Sequence, residues 1–157
     1  MIRNWEHNID QFITSAKRNG VRMLMVGGGA VNFHGYQRHS ADVDFWIETT
    51  PENFNRLVIV FQELGYEIDA FPQSVLDGNQ NISIKFSPED LDLELITRFS
   101  VNKTFEEAYQ SSELVVVNQN EFLQWNVLSL DDLITSKLKA GRPKDLLDVH
   151  QLRQLNP

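Results

Sequence analysis

The chain has 157 residues and no cysteine, and 41% of its residues are hydrophobic and 23% charged. This length suffices for one domain with its own core, and no apolar run approaches the roughly 18 residues of a membrane-spanning helix. The 22 acidic and 14 basic side chains give a formal net charge of −8, which argues against a broad surface for nucleic acid.

We expect a single domain over residues 1–157 in a reducing, cytoplasmic setting, with no membrane association. Oxidising compartments favour disulfides, which a chain without cysteine cannot form. The first ten residues, MIRNWEHNID, also lack the basic and then apolar stretch of a secretory signal.

The N-terminal part of the chain predicts a helix, a strand and a second, short helix. Apolar residues recur at helical spacing over residues 4–18, and Gly20 is placed to end this helix. The apolar run VRMLMV at 21–26 predicts a strand. Three glycines at 27–29 then predict a tight turn, after which AVNFHGY at 30–36 resumes as a helix.

The segment ADVDFWIE at residues 41–48 alternates with a period of two residues, which predicts a strand. Asp42, Asp44 and Trp46 share one face of this strand, and three apolar residues share the other. One face is therefore expected to be buried and the other to be exposed or functional. Trp46 has two interpretations, as a platform for a nucleobase or as a core aromatic.

The rest of the sequence predicts further helices and strands with local boundary signals. A helix runs from Thr50-Pro51 to Gly65, and a hairpin of strands at 81–86 and 91–97 is joined by SPED at 87–90. A short helix with a Thr104–Glu107 capping box and one or two strands within 113–125 follow. The last two elements are a helix over 129–141, with Leu130, Leu133, Ile134 and Leu138 inward, and a helix from Pro143. The predicted fold class is α/β (α+β), a mixed β-sheet flanked by helices, with a C-terminal helical hairpin.

The glycines at 27–29 are a weak functional signal when taken alone. Glycine lets backbone N–H groups approach an anion at the start of a helix. The segment lacks the G-x-G-x-x-G spacing of dinucleotide folds and the G-K-[ST] of a P-loop, so both of these phosphate loops are disfavoured. A tight strand-to-helix turn is the simpler interpretation.

The carboxylates give a stronger signal. Asp42 and Asp44 project to the same side of their strand, with Cα atoms about 6 to 7 Å apart. Carboxylates in this arrangement repel unless a cation lies between them, and Mg²⁺ commonly binds one or two carboxylates together with substrate phosphates. A two-metal arrangement needs a further carboxylate. Asp92 and Glu94 share a face of LDLELIT, and either can supply it if the two strands pair.

Together these segments resemble a known superfamily. The run V-G-G-x-A-V, followed by H-G-Y-x-R-x-S-x-D-V-D, is similar to polymerase-beta-like nucleotidyltransferases, especially small bacterial members akin to abortive-infection nucleotidyltransferases. Gly27 and Gly28 match the glycine pair of that family, and Asp42 and Asp44 match its first two acids. Glu94 matches the third acid. The family usually has Asp-Leu-Leu at this point, so the Glu is a departure and Asp92 competes for the role.

The resemblance continues into the C-terminal segment LITSKLKAGRPKDLLDVHQL, in which the matching residues are Lys137, Arg142, Lys144, Asp145 and Asp148. It implies that Lys137, Arg142 and Lys144 neutralise a triphosphate. The position of Lys137 on the same helix turn as the inward Ile134 and Leu138 also favours a functional role.

The implied reaction is attack of a hydroxyl on the α-phosphorus of a nucleoside triphosphate, with release of pyrophosphate. The resemblance implies that Asp42, Asp44 and Glu94 hold two Mg²⁺ ions, with Mn²⁺ as an alternative, and that Glu94 takes the proton of the hydroxyl. Gly27 and Gly28 then contact the β and γ phosphates.

Arg38 and Ser40, within the same motif, are further candidate nucleotide-binding residues. From the residues alone, Arg38 has the alternatives of capping a carbonyl or pairing with Asp42. Lys144 and Asp148 are spaced for a surface salt bridge on one helix, which would explain both without a functional role.

The acceptor cannot be inferred from the sequence, so RNA, a protein and a small molecule all stay open, and we expect a protein partner to give acceptor specificity. The alternative function is a catalytically silent, nucleotide-binding or antitoxin-like regulatory partner with the same fold.

Overall fold

The computed structural model describes residues 7–86, 91–117 and 120–157. Within these ranges the chain forms, in order, α1 (His7–Arg18), β1 (Met23–Val26), α2 (Gly27–Phe33), β2 (Asp42–Ile47), α3 (Pro51–Glu63), α4 (Gln73–Leu76), β3 (Ile82–Ile84), β4 (Asp92–Ile96), α5 (Phe105–Gln110), β5 (Glu113–Val116), β6 (Gln124–Val127), α6 (Leu130–Ala140) and α7 (Pro143–Leu155). Every helix in this part of the chain is too short or too polar to cross a lipid bilayer.

The described strands form one sheet in the order β3-β4-β2-β1-β6-β5. The central pair β1 and β2 is antiparallel, whereas β4 runs parallel to β2 and β6 runs parallel to β1. The two edge strands, β3 and β5, are antiparallel to their neighbours. The mixed sheet predicted from the sequence is therefore confirmed.

One face of the sheet carries the core under α1 and α3. The ring of Phe12 on α1 lies 6.2 Å from that of Phe45 on β2 and 6.0 Å from that of Phe61 on α3. Side chains alternate along a strand, so Asp42 and Asp44 project from the opposite face of β2. The acids thus lie on the side of the sheet away from these helices.

The predicted starts of three helices depend on local hydrogen bonds, and the structure confirms them. The Thr50 hydroxyl accepts from the N–H of Asn53, and Thr104 and Glu107 form the expected capping box. The Ser129 hydroxyl accepts from the Asp132 N–H at the start of α6. After α6 and its glycine, α7 completes the C-terminal helical hairpin.

One side-chain prediction is wrong, and one open choice is decided. Leu138 is 46% exposed, because the buried stripe of α6 runs through Leu133, Ser136 and Lys137, about 100° around the helix from it. Of the two interpretations of Trp46, the core aromatic is confirmed and the platform for a base is not, because Trp46 is 6% exposed and its ring lies 5.3 Å from that of Phe99.

The short helix α4 was not predicted, because four residues carry too little periodicity to reveal it. The glycines at 27–29 also differ from the prediction, since they form the first turn of α2 instead of a separate turn. The expected helix start at residue 4 and the turn at 87–90 lie outside the described residues.

Candidate active site

The predicted acids lie side by side on two paired strands. In the parallel register of β2 with β4, Asp42 is opposite Asp92 and Asp44 is opposite Glu94. Paired residues of neighbouring strands point to the same face and are about 4.8 Å apart. The strand pairing on which the acid prediction depended is thus present. We call Asp42, Asp44 and Glu94 the acid row.

A glycine at the start of α2 borders the acid row. Gly27 has φ of +62°, and a Cβ atom added to it would overlap Oδ2 of Asp44 and lie 3.1 Å from Cγ. A Cβ on Gly28 would lie 2.7 Å from the Ser40 hydroxyl, which itself donates to the Asp42 carbonyl at 2.9 Å. The backbone of both glycines therefore closely approaches the segment that carries the acids.

Gly27→Ala tests this contact. We expect a loss of about 1–2 kcal/mol in the free energy of unfolding, because an L residue is strained at positive φ. We also expect Asp44 to be displaced and the Mg²⁺-dependent binding of a triphosphate, measured by calorimetry, to weaken. Gly65→Ala is the matched control, since Gly65 also has positive φ, of +97°, but its added Cβ would have no neighbour within 4 Å. Equal triphosphate affinity in the two variants would contradict this role of Gly27.

Asp44 has a raised pKa, because its ionised form is unfavourable where it lies in the acid row. Burial, followed by the negative charges of Asp42 and Glu94, raises its pKa from 3.8 to about 6. The positive charges of Lys137 and Lys144 partly offset this rise in pKa. The site thus has an unbalanced negative charge at Asp44 and two lysines close enough to act on it.

The donor atoms fit Mg²⁺ in their chemistry, since all are carboxylate oxygens on one face. No group of three or more His, Cys, Asp or Glu side chains is arranged to hold a metal ion in the described part of the chain. Glu94 is turned toward β3, where its Oε2 accepts from the Ser83 hydroxyl at 2.6 Å. Because Mg²⁺ is usually bound by one or two carboxylates plus substrate phosphates, a complete protein cage is not required.

Asp92 has a different neighbour from Glu94. Its Oδ2 lies 4.0 Å from Nζ of Lys85, a side chain that is 82% exposed. Both acids lie on the face of the acid row, so the register alone does not choose between them as the third acid.

Two buried carboxylates of α7 pair with cations from the C-terminal helices and from the loop before β2. Asp148 is 2% exposed. Nη2 of Arg38 donates to its Oδ2 at 3.1 Å, and Nε of Arg38 lies 3.1 Å from its Oδ1. Nζ of Lys137 is 3.0 Å from the same Oδ2. Asp148 therefore holds two of the cations predicted to bind a triphosphate.

Asp145 completes this group. It is 1% exposed, accepts from Nε of Arg142 at 2.7 Å, and lies 3.5 Å from Nζ of Lys137. Burial opposes its ionisation, but the hydrogen bonds from Arg142 and the charge of Lys137 outweigh that effect and lower its pKa. We call Arg38, Lys137, Arg142, Asp145 and Asp148 the charge cluster. It contains three cations and two carboxylates, so one positive charge is left uncompensated.

The charge cluster corrects the interpretations made from local spacing. Arg38 pairs with Asp148 and not with Asp42. The predicted surface salt bridge of Lys144 with Asp148 is also wrong. Asp148 is buried and pairs with Arg38 and Lys137, whereas Lys144 is exposed.

The sequence reasoning missed two contacts of the site. It did not pair Asp145 or Asp148 with Arg38, Lys137 or Arg142. The inward helix face was signalled by the recurrence of these two acids with apolar Val149 and Leu152 at helical spacing. The sequence reasoning also gave no role to Ser83, which reaches Glu94 only through the pairing of β3 with β4.

The comparison with known proteins agrees with this geometry. Residues 6–155 match the family described as "Nucleotidyltransferase of unknown function (DUF6036)". No curated protein matches the chain. Because the match covers nearly the full sequence, including the glycines, the acid row and the charge cluster, the chain belongs to this family of nucleotidyltransferases.

Proposed function

We propose that the protein is a Mg²⁺-dependent nucleotidyltransferase that moves a nucleoside monophosphate from a nucleoside triphosphate to a hydroxyl acceptor. The observation that carries this proposal is the contact of Gly27 with the Asp44 carboxylate, beside Glu94 on the paired strand. It puts backbone able to approach a polyphosphate next to carboxylates able to hold its cations.

The acid row would hold Mg²⁺, with Mn²⁺ as an alternative. Mg²⁺ bound there would neutralise charge on the triphosphate and lower the pKa of the attacking hydroxyl. Asp42, Asp44 and Glu94 hold the ions in this proposal, and Glu94 also accepts the proton of the hydroxyl.

Basic side chains receive the phosphates. Lys144 is exposed, and its positive charge acts on Asp44, so it is the cation best placed to meet an incoming triphosphate. Arg38, Lys137 and Arg142 contribute the one uncompensated charge of the charge cluster. Positioning and charge neutralisation of this kind supply most of the catalysis in phosphoryl transfer.

The acceptor is a hydroxyl of RNA, a protein or a small molecule, and we propose that a protein partner gives the specificity. The family description, which names a nucleotidyltransferase, favours an enzyme over a catalytically silent partner. The acids at all three positions of the superfamily resemblance support the same choice.

Calorimetry with each ribonucleoside triphosphate tests the proposal. We expect binding in Mg²⁺ that is lost in chelator, and we expect Asp42→Asn to weaken it at least about tenfold, as is typical when a group supporting a metal site is removed. Asp69→Asn, at an exposed position on the loop after α3, is the control that should bind as the wild type does. Undiminished binding by Asp42→Asn would contradict the proposed metal site, and absence of binding in the wild type would contradict the function.

A further inference from the structure

Ser83 presents a hydroxyl to the proposed catalytic base. It lies on the edge strand β3, and its Cα pairs with that of Glu94 in the antiparallel register with β4. Its Oγ donates to Oε2 of Glu94 at 2.6 Å, and the residue is exposed. The structure therefore places an accessible hydroxyl within hydrogen-bond reach of Glu94.

Ser83 also belongs to a row that crosses four strands. The registers place Ser83 beside Glu94, Glu94 beside Asp44 and Asp44 beside Val26, directly before Gly27. All of these side chains point to the same face, because residues that pair across strands do so. The serine is thus on the side of the sheet where the triphosphate would bind.

The distance has a chemical meaning beyond cross-strand pairing. A general base must lie about 2.6–3.2 Å from the oxygen whose proton it takes. An acceptor hydroxyl bound for attack would have to meet Glu94 in the same way. Ser83 already does so as part of the chain, with no binding step to bring it there.

We propose that Ser83 is an acceptor of self-nucleotidylation. This inference rests on the proposed function. In the step, Oγ of Ser83 attacks the α-phosphorus of a nucleoside triphosphate and a new O–P bond forms. The bond from the α-phosphorus to the oxygen bridging to the β-phosphate breaks, and pyrophosphate leaves with that electron pair. The hydroxyl proton passes to Glu94 and from there to solvent. The product is a phosphodiester of Ser83 with a nucleoside monophosphate.

The modification would limit the reaction that produces it. A phosphodiester on Ser83 removes the hydroxyl donor from Glu94 and adds a negative charge next to the acid row. Both changes oppose the entry of a second triphosphate. We therefore expect modification to stop at a single nucleoside monophosphate per chain.

The test is intact-protein and peptide mass spectrometry after incubation with Mg²⁺ and each triphosphate in turn. We expect the mass of a single nucleoside monophosphate on the wild-type chain, located on Ser83, and none on Ser83→Ala. Ser74→Ala is the matched control and should be modified like the wild type, because Ser74 bonds to Gln80 and not to an acid. Circular dichroism melting would verify that Ser83→Ala is folded, and Ser83→Thr, which keeps a hydroxyl, should retain part of the modification.

A mixing experiment separates reaction within one chain from reaction between chains. The Ser83–Glu94 contact is within one chain, so the first-order rate constant of modification should not depend on protein concentration. When Ser83→Ala, which keeps the acid row, is mixed with Asp42→Asn, which keeps Ser83, neither chain should be modified. A wild-type chain that binds the triphosphate with Mg²⁺ but is never modified on Ser83 would overturn this inference and leave the proposed function standing. Modification of Asp42→Asn on its own would instead count against the proposed metal site.

Discussion

Asp44→Asn is expected to slow nucleotidyl transfer strongly and, in chelator, to make the protein more stable. In the proposed function Asp44 binds metal. It is two residues from Asp42 on the same strand and opposite Glu94 on the paired strand, and the negative charges of both acids act on it. An amide in its place keeps the shape but loses the charge that attracts a cation. We expect the transfer rate to fall about 10³-fold, which corresponds to roughly 4 kcal/mol of transition-state stabilisation.

The gain in stability follows from the pKa of the same carboxyl. Because the pKa of Asp44 is about 6 in the folded protein against 3.8 ordinarily, the folded state binds the proton more tightly than the unfolded state does. Stability therefore decreases as the pH rises from about 3.8 to 6, and the full cost is present above pH 6. Asp44→Asn removes this cost, which is up to about 3 kcal/mol at neutral pH, the free-energy equivalent of the pKa change.

Denaturant unfolding at pH 4 and pH 8 measures this effect. In chelator, the stability advantage of Asp44→Asn should be small at pH 4 and largest at pH 8. Mg²⁺ with a triphosphate should then stabilise the wild type through binding and leave the variant unchanged. Asp69→Asn is the exposed control and should show neither effect. A variant less stable than the wild type at pH 8 would refute the view that Asp44 is destabilising.

Lys137→Met is expected to have the largest effect on stability. Methionine has a similar volume, so the change removes the charge with little change in packing. It leaves Asp145 and Asp148, which are 1% and 2% exposed, with only one arginine each. Breaking a buried ion pair from one side costs about 3–5 kcal/mol, and we expect the lower end because those arginines stay.

A double-mutant cycle identifies the cause. Adding Asp148→Asn to Lys137→Met should restore part of the lost stability, with a coupling of about 1–3 kcal/mol, because the unpaired buried charge is then gone. Arg38 tolerates this change, since 29% of its side chain is exposed and can be solvated. Lys139→Met, on the exposed side of the same helix, should change stability by less than about 0.5 kcal/mol. Additive effects of the two substitutions would show that Lys137 stabilises the fold through packing alone.

Local signals explain which parts of the fold could be predicted. Thr50 and Ser129 each cap a helix by bonding to a backbone N–H three residues away, an interaction that depends only on neighbouring residues. The shared face of Asp42 and Asp44 likewise follows from the period of a single strand. The mixed sheet and the C-terminal hairpin were correct because such signals were numerous and mutually consistent.

Long-range pairing explains what could not be predicted. Asp92 and Glu94 share a face, so only the register of β2 with β4 places Glu94 beside Asp44. A one-residue slip would have turned both acids to the other side of the sheet. The partner of Arg38 is 110 residues away, and no local pattern could identify it.

The position of Lys137 shows how tertiary contacts override a local pattern. Apolar periodicity predicted Leu138 as inward, yet the buried position is taken by the lysine. A buried lysine is costly unless its charge is compensated, and the compensating carboxylates come from the following helix. Knowledge of the helix pairing was needed before the inward face of α6 could be assigned.

The salt bridge between Arg38 and Asp148 also has a consequence for folding during synthesis. The ribosome adds Asp148 110 residues after Arg38, and a growing polypeptide cannot make this bond until α7 has left the exit tunnel. Until then Arg38 and Lys137 lack the carboxylate that holds them in place. A nascent chain therefore carries its acids and glycines before Arg38 and Lys137 gain this buried partner.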